Sequence, residues 1–226
     1  MGTLLRRSLA VARKDLLAEG RSRANLLSVI LFAGTALLLF AFALGPDVEA
    51  MREAGAGVIW LTILLSGILI FNRSYQVELE GGALEALLTY PGDRRAIFLG
   101  KLLANLVLIG LVIAVILPVG SVLFHISVLE APLGVGAILF SGAIGFVTLG
   151  TFYAAISSRS RARDVLLPLL LFPMLIPLLL AAVQGTGAFL AGDAMGYGWA
   201  WFRLIVAFDA VFFVASLWAF EHVIGE

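Results

Sequence analysis

Three carboxylates, Glu78, Glu80 and Glu85, fall within eight positions of a chain in which charged residues make up only 13% of the total. Grouped carboxylates can serve as general acids and bases or hold a metal ion. Neither chemistry fits here, because no histidine lies near them and their spacing does not bring all three onto one face of a helix. The apolar residues between them are more telling. Leu84, Leu87 and Leu88 stand at i, i+3 and i+4 beside the glutamates, and Pro91-Gly92 ends any helix they form. Residues 76–90 therefore predict a short charged helix with a small apolar face, suited to docking into a groove on a cytoplasmic partner. The alternative, a helix lying flat on lipid, would turn three glutamates toward anionic headgroups.

Asp209 and His125 are the other residues whose types invite a chemical role. Asp209 interrupts an apolar run, and a carboxylate inside a membrane is costly unless it is paired, wet or turned into a bundle. It is thus an intramembrane polar candidate. A structural reading stands beside that one: Arg203 lies six residues away, about 9 Å of helix rise, close enough to an outer surface for Asp209 to find water. His125 is a weak haem-ligand candidate, since a boundary histidine is more often simply interfacial. His125 and His222 are the only histidines, and the topology derived below puts them at opposite faces, so they do not share one metal. No metal centre and no catalytic residue is expected. The chain has no cysteine, which excludes disulfides, thiolate metal sites and covalent haem attachment through a Cys-x-x-Cys-His motif. It also has no Gly-x-x-x-x-Gly-Lys-Ser/Thr loop, so ATP, if used, acts through another chain.

The elements that must position these residues are membrane helices. Hydrophobic residues make up 62% of the sequence, and six long apolar runs can each cross a hydrocarbon core that needs roughly 20 helical residues. The expected spans are 24–44, 54–72, 100–124, 132–157, 165–184 and 202–221. Barrel strands would alternate apolar and polar residues; these runs are apolar on every face. The fold class is all-α, a polytopic membrane protein with residues 1–226 as a single permease domain. Ala41-Phe42-Ala43 resembles a signal-peptidase site, but the apolar run before it is too long for a signal peptide, and residues 24–44 are expected to stay as the first span.

Charge placement orients the bundle. Thirteen of fifteen Lys and Arg cluster before the first span, around the second loop (Arg73, Arg94, Arg95, Lys101) and in the fourth (Arg159, Arg161, Arg163). By the positive-inside rule both termini and these loops are cytoplasmic. Before the first span, Leu5, Leu9, Ala12 and Leu16 mark one side of an amphipathic helix at the membrane interface. Pro168, Pro173 and Pro177 should bend or break the fifth span. The Gly-rich connection 184–197 is long enough to be either a re-entrant piece or a plain loop. Trp199 and Trp201 fit an interfacial aromatic belt.

Several blocks together carry a resemblance. They are Asn72-Arg73-Ser74 followed by Glu78, Glu80, Gly82, Leu84-Glu85, Leu87-Leu88, Pro91, Ile97 and Gly100-Lys101; then Arg161-Ala162-Arg163-Asp164 running through Pro168 and Pro173 to Pro177. Lys14-Asp15-Leu16, Arg21-Ser22-Arg23, Ala207-Phe208-Asp209 and Phe220-Glu221 extend it over nearly the whole chain. In this order and spacing the sequence resembles the haem exporter protein B (CcmB) family, the membrane subunit of the cytochrome c maturation ABC transporter.

The resemblance implies an ABC-2 type permease-like fold of six spans, working with a separate cytoplasmic ATP-binding cassette subunit, with two copies in the complex. It also implies a haem-handling membrane protein, a small membrane subunit and a periplasmic haem chaperone as partners, all at the bacterial inner membrane, and no nucleic acid. Haem would be substrate of the complex rather than a cofactor of this chain. Carried over by position, Gln76, Glu78, Glu80, Gly82, Leu84, Glu85, Leu87, Leu88 and Pro91 would form the coupling segment that meets the ATPase. Arg161, Arg163 and Asp164 would form a second contact, with Asp164 standing where a Glu is expected. Two alternatives share these features: an ABC-2 type exporter of lipid, drug or polysaccharide, and a non-transporting scaffold for a haem-loaded partner. A gradient-driven carrier would need further intramembrane ionisable residues and internal repeats, and neither is visible.

Overall fold

The computed structural model describes residues 2–21, 23–80, 93–158, 160, 162–193 and 195–223. Among the described residues seven helices follow in order: α1 (Gly2–Arg21), α2 (Arg23–Leu44), α3 (Val48–Glu80), α4 (Arg95–Leu123), α5 (Pro132–Ser158), α6 (Arg163–Leu190) and α7 (Tyr197–Val223). Among the described residues, α2 to α7 are long and apolar enough to cross a membrane, so this is an all-α multi-pass membrane protein. A single 3₁₀ turn, Val128–Glu130, lies between α4 and α5.

The breaks between helices follow from local chemistry. Gly45 takes a left-handed φ of 73° to end α2. Asp47 then accepts the Glu49 and Ala50 N–H groups on its Oδ1 at 3.0 and 3.2 Å, capping α3. Just before α4, Asp93 Oδ1 accepts the Arg95 N–H at 2.9 Å. Pro132 opens α5, where a missing N–H costs nothing.

Three expectations are revised by this architecture. α3 runs unbroken through Glu80, not to residue 72, and at 33 residues it is about 50 Å long, well beyond a hydrocarbon core. No glycine or proline stands between Asn72 and Glu80, so nothing stops the helix at the first polar residues. α6 is not broken at its three prolines and extends to Leu190. Its inward stripe of Leu167, Leu171, Leu175 and Leu178 is fully buried, while Pro173 and Pro177 lie on the exposed side. The Gly-rich connection is thus mostly helix, and a tight turn at Gly192 and Asp193, both with positive φ, leads into α7. Asp193 Oδ1 accepts the Gly198 N–H at 3.0 Å and fixes that turn.

α3 and α5 form the centre of the bundle. In their most apolar stretches 67% and 72% of residues are buried, against 11% in α7, which makes α7 the most lipid-exposed span. Trp60 on α3 packs where Gly142 of α5 has no side chain, and its indole N–H donates to Thr186 Oγ1 of α6 at 3.0 Å. Phe71 fills the space over Gly150 and meets Phe146 edge-on at 5.0 Å. Because the spans alternate, α1, the end of α3, the start of α4 and the α5–α6 turn share one end of the bundle. Phe98 against Phe220, 5.0 Å apart, brings the last turn of α7 to the same end. At the other end, Arg52 Nε donates to the His125 carbonyl at 3.3 Å.

Candidate functional site

Lys101 organises the α1 end. Because α4 begins at Arg95, five residues before the expected span at residue 100, Lys101 lies well inside the helix rather than at its first turn. Its side chain is completely buried. A buried ammonium must be paired and hydrogen-bonded to be tolerated, and three groups answer it. The Asp15 carboxylate of α1 is 3.2 Å away, the Ser74 carbonyl of α3 accepts a bond at 2.5 Å, and the Tyr75 ring lies 4.5 Å below as a cation–π partner. One charge thus ties α1, α3 and α4 together. Lys14, half exposed, also pairs with Asp15 at 3.2 Å.

Packing supports the same junction. A Cβ on Gly100 would stand 2.5 Å from Val11 Cβ and 2.7 Å from the Ser8 carbonyl, so only glycine lets α1 lie this close to α4. The face of α1 that does so is Ser8, Val11, Ala12 and Asp15. Of the apolar side read from the sequence, Leu5 and Leu9 are exposed and only Ala12 is buried. One turn beyond Lys101, Asn105 Nδ2 donates to Thr151 Oγ1 at 2.9 Å, carrying the polar contact from α4 into α5.

The expected coupling segment begins directly after this junction. Gln76 is partly buried in the last part of α3, one residue past Tyr75. Glu78 and Glu80 stand in its final helical turn, continuous with the membrane helix rather than in a separate one. Gly82, Leu84, Glu85, Leu87, Leu88 and Pro91 lie outside the described residues, as does Arg161. Arg163 begins α6 at the same end, and Asp164 is exposed in its first turn.

Asp209 stands twelve residues into α7, near its middle. Its Oδ1 is buried without a hydrogen-bond partner among the described residues and occupies the space that a side chain on Gly145 of α5 would fill, beside Leu178 of α6. The carboxyl therefore faces the α5–α6–α7 contact. His125 is exposed in a left-handed turn with φ 53°, at the opposite end from Lys101. Among the described residues no group of three His, Cys, Asp or Glu could hold a metal ion.

A family model described as CcmB protein matches residues 6–225. The chain belongs to the CcmB family. Curated relatives agree: the chain is 27% identical to heme exporter protein B of Bradyrhizobium diazoefficiens over 210 residues, 93% of each chain. It is 32% identical to heme exporter protein B of Rhodobacter capsulatus over 146 residues, 65% of this chain and 66% of that one. The Escherichia coli protein of the same name is 27% identical over 179 residues, 79% of this chain and 80% of the relative. These relatives are named as exporters, not enzymes.

The pairing of Asp15 with Lys101 was not read from the sequence, although both residues belong to blocks that carry the family resemblance. A signal was present: a lysine followed at once by an unbroken apolar run needs a buried partner if the helix starts before it. The start of α4 at Arg95 is what places it inside.

Proposed function

We propose that this member of the CcmB family is the permease subunit of an ABC transporter for c-type cytochrome maturation. ATP is hydrolysed by a separate cytoplasmic ATP-binding cassette subunit, since the sequence holds no phosphate loop of its own. Residues 1–226 act as one permease unit in the bacterial inner membrane, with both termini cytoplasmic, a reading supported by the clustering of Lys and Arg. Two copies assemble with the ATPase, a haem-handling membrane protein and a small membrane subunit. ATP hydrolysis is coupled to haem export or to release of a haem-loaded periplasmic chaperone. Haem is substrate of the complex and is not held by this chain as a cofactor.

The observation that carries the coupling part of this reading is the Lys101 junction. The ATPase contact is assigned to residues 76–91, with Arg161, Arg163 and Asp164 as a second contact at the same end. Residue 76 follows immediately on Ser74 and Tyr75, which Lys101 ties to α1 and α4. A push on the coupling segment therefore reaches three helices through one buried charge rather than dissipating in a loop. Rigid, fully paired polar contacts suit such a role because they have few alternative arrangements.

Purification in a mild detergent tests the assignment. The protein should bring down a small ATPase together with membrane partners that show haem absorbance. Recovery of the protein alone, from cells making c-type cytochromes, under conditions that keep other ABC transporters whole, would count against it.

A further inference from the structure

Beside the Lys101 junction, α1, α2, α3 and α4 surround a cleft of about 650 Å³, within the size range of ligand sites. Its lining is divided by depth. Lys14, Glu19, Asn25, Asn72 and Arg73 line the end nearest α1, whereas Leu26, Val29, Leu69, Ile70 and Leu108 lie deeper along the membrane helices. The apolar part continues. One turn further on, Ile30, Ala33 and Gly34 of α2 face Val112, Val115 and Ile116 of α4 across a narrow groove. Leu26, Ile30 and Gly34 follow each other at i+4, as do Leu108, Val112 and Ile116, so cleft and groove occupy the same faces of α2 and α4. A polar chamber at the membrane surface thus passes into an apolar lining, and a shallow groove of about 20 Å³ continues along the same helix faces toward the bilayer centre.

Charge selects the polar end of the occupant. Asp15 is already engaged by Lys101 and Lys14, each at 3.2 Å. Arg73 is exposed, and no ion pair among the described residues takes its guanidinium, whose fork matches a phosphate. Glu19 lines the same chamber, which disfavours a purely anionic head and suits one that also carries an amine. The groove holds only about 20 Å³, too little for a flat macrocycle, and an acyl chain lies along its exposed edge at Val115 and Val119.

We propose that this cleft is a specific site for a glycerophospholipid with an amine-bearing head group, drawn from the leaflet on the α1 side, its phosphate at Arg73 and one acyl chain between α2 and α4.

Native mass spectrometry of the full-length protein in a phosphate-free maltoside, supplied with palmitoyl-oleoyl-phosphatidylethanolamine, the phosphatidylglycerol equivalent, dioleoylglycerol, inorganic phosphate or haem, tests this. The phosphatidylethanolamine should be retained in preference to every other probe. Arg73→Gln should reduce that retention at least about tenfold, equivalent to about 1.4 kcal/mol. Gly34→Leu is the independent variant: a Cβ there meets nothing within 4 Å, so the side chain fills the groove without disturbing the fold, and it should reduce retention similarly. Retention unchanged by either substitution, phosphatidylglycerol held as well as phosphatidylethanolamine, or lipid displaced by inorganic phosphate or by haem would each overturn the proposal.

Discussion

The Lys101 ammonium of α4 lies 3.2 Å from the Asp15 carboxylate of α1, its side chain wholly buried and that of Asp15 18% exposed. The two partners are not equivalent. Asp15 has a second lysine in Lys14, whereas Asp15 is the carboxylate that Lys101 meets beside the Ser74 carbonyl and the Tyr75 ring. Asp15→Leu should therefore destabilise the protein by about 3–5 kcal/mol, the usual cost of a buried charge left unpaired. Lys101→Met should cost less, and adding it to Asp15→Leu should recover part of the loss. Thermal unfolding in detergent orders the three variants; a double variant no more stable than Asp15→Leu alone would contradict the assignment of the pair.

Close approach of α1 depends on Gly100. Because the chain has no cysteine, a single Ser8→Cys gives a clean probe of a position that is 1% exposed. The thiol should resist maleimide in the otherwise native protein. Adding Gly100→Val, which collides with Val11 and the Ser8 backbone, should expose it, at an overpacking cost of about 1–3 kcal/mol. Equal labelling with and without the valine would mean that α1 is not seated on α4.

Asp209 and Gly145 are coupled by shape. A methyl group at Gly145 takes the place of the Asp209 Oδ1, so Gly145→Ala should be clearly destabilising beside Asp209 and much milder beside Asp209→Ala. A double-mutant cycle read by thermal unfolding gives the interaction term. Simple additivity would show that the carboxyl does not pack there. Asp209→Asn keeps the shape and removes the charge, so unchanged complex activity in that variant would rule out a charge relay at this position.

The orientation of the bundle has an equally direct readout. Leu129, 90% exposed beyond α4, and Gly20, exposed at the end of α1, lie at opposite ends. In intact cells a membrane-impermeant maleimide should label Leu129→Cys, and should reach Gly20→Cys only after permeabilisation. The reverse pattern would invert the topology and remove residues 76–91 from the cytoplasm.

The number of spans was legible because unbroken apolar runs separated by charge and turn residues have one solution in a bilayer. Their ends were less so. Asn72 and Arg73 look like a boundary, yet polar residues near a membrane surface do not stop a helix, and α3 continues to Glu80. Gly185 and Gly187 suggested a loop where α6 persists to Leu190, since glycine in a packed membrane helix gains contact for what it loses in rigidity. α1 is the clearest case. Leu5 and Leu9 are exposed, while Ser8 and Ala12 face α4, because in a membrane protein hydrophobicity marks contact with lipid and small or polar residues mark contact with protein. A long-range pair such as Asp15 with Lys101 leaves no periodic trace, and became visible only once α4 was seen to start at Arg95.

The segment following the Lys101 junction is the proposed receiver of the ATPase. Co-purification of the ATP-binding cassette subunit with Glu80→Lys/Glu85→Lys, measured against the wild type in the same mild detergent, tests it most directly. Reversing both charges on the docking segment while leaving the buried junction intact should reduce recovery of the ATPase by at least about tenfold, with the permease itself still folded and inserted. Recovery at the wild-type level would contradict the account.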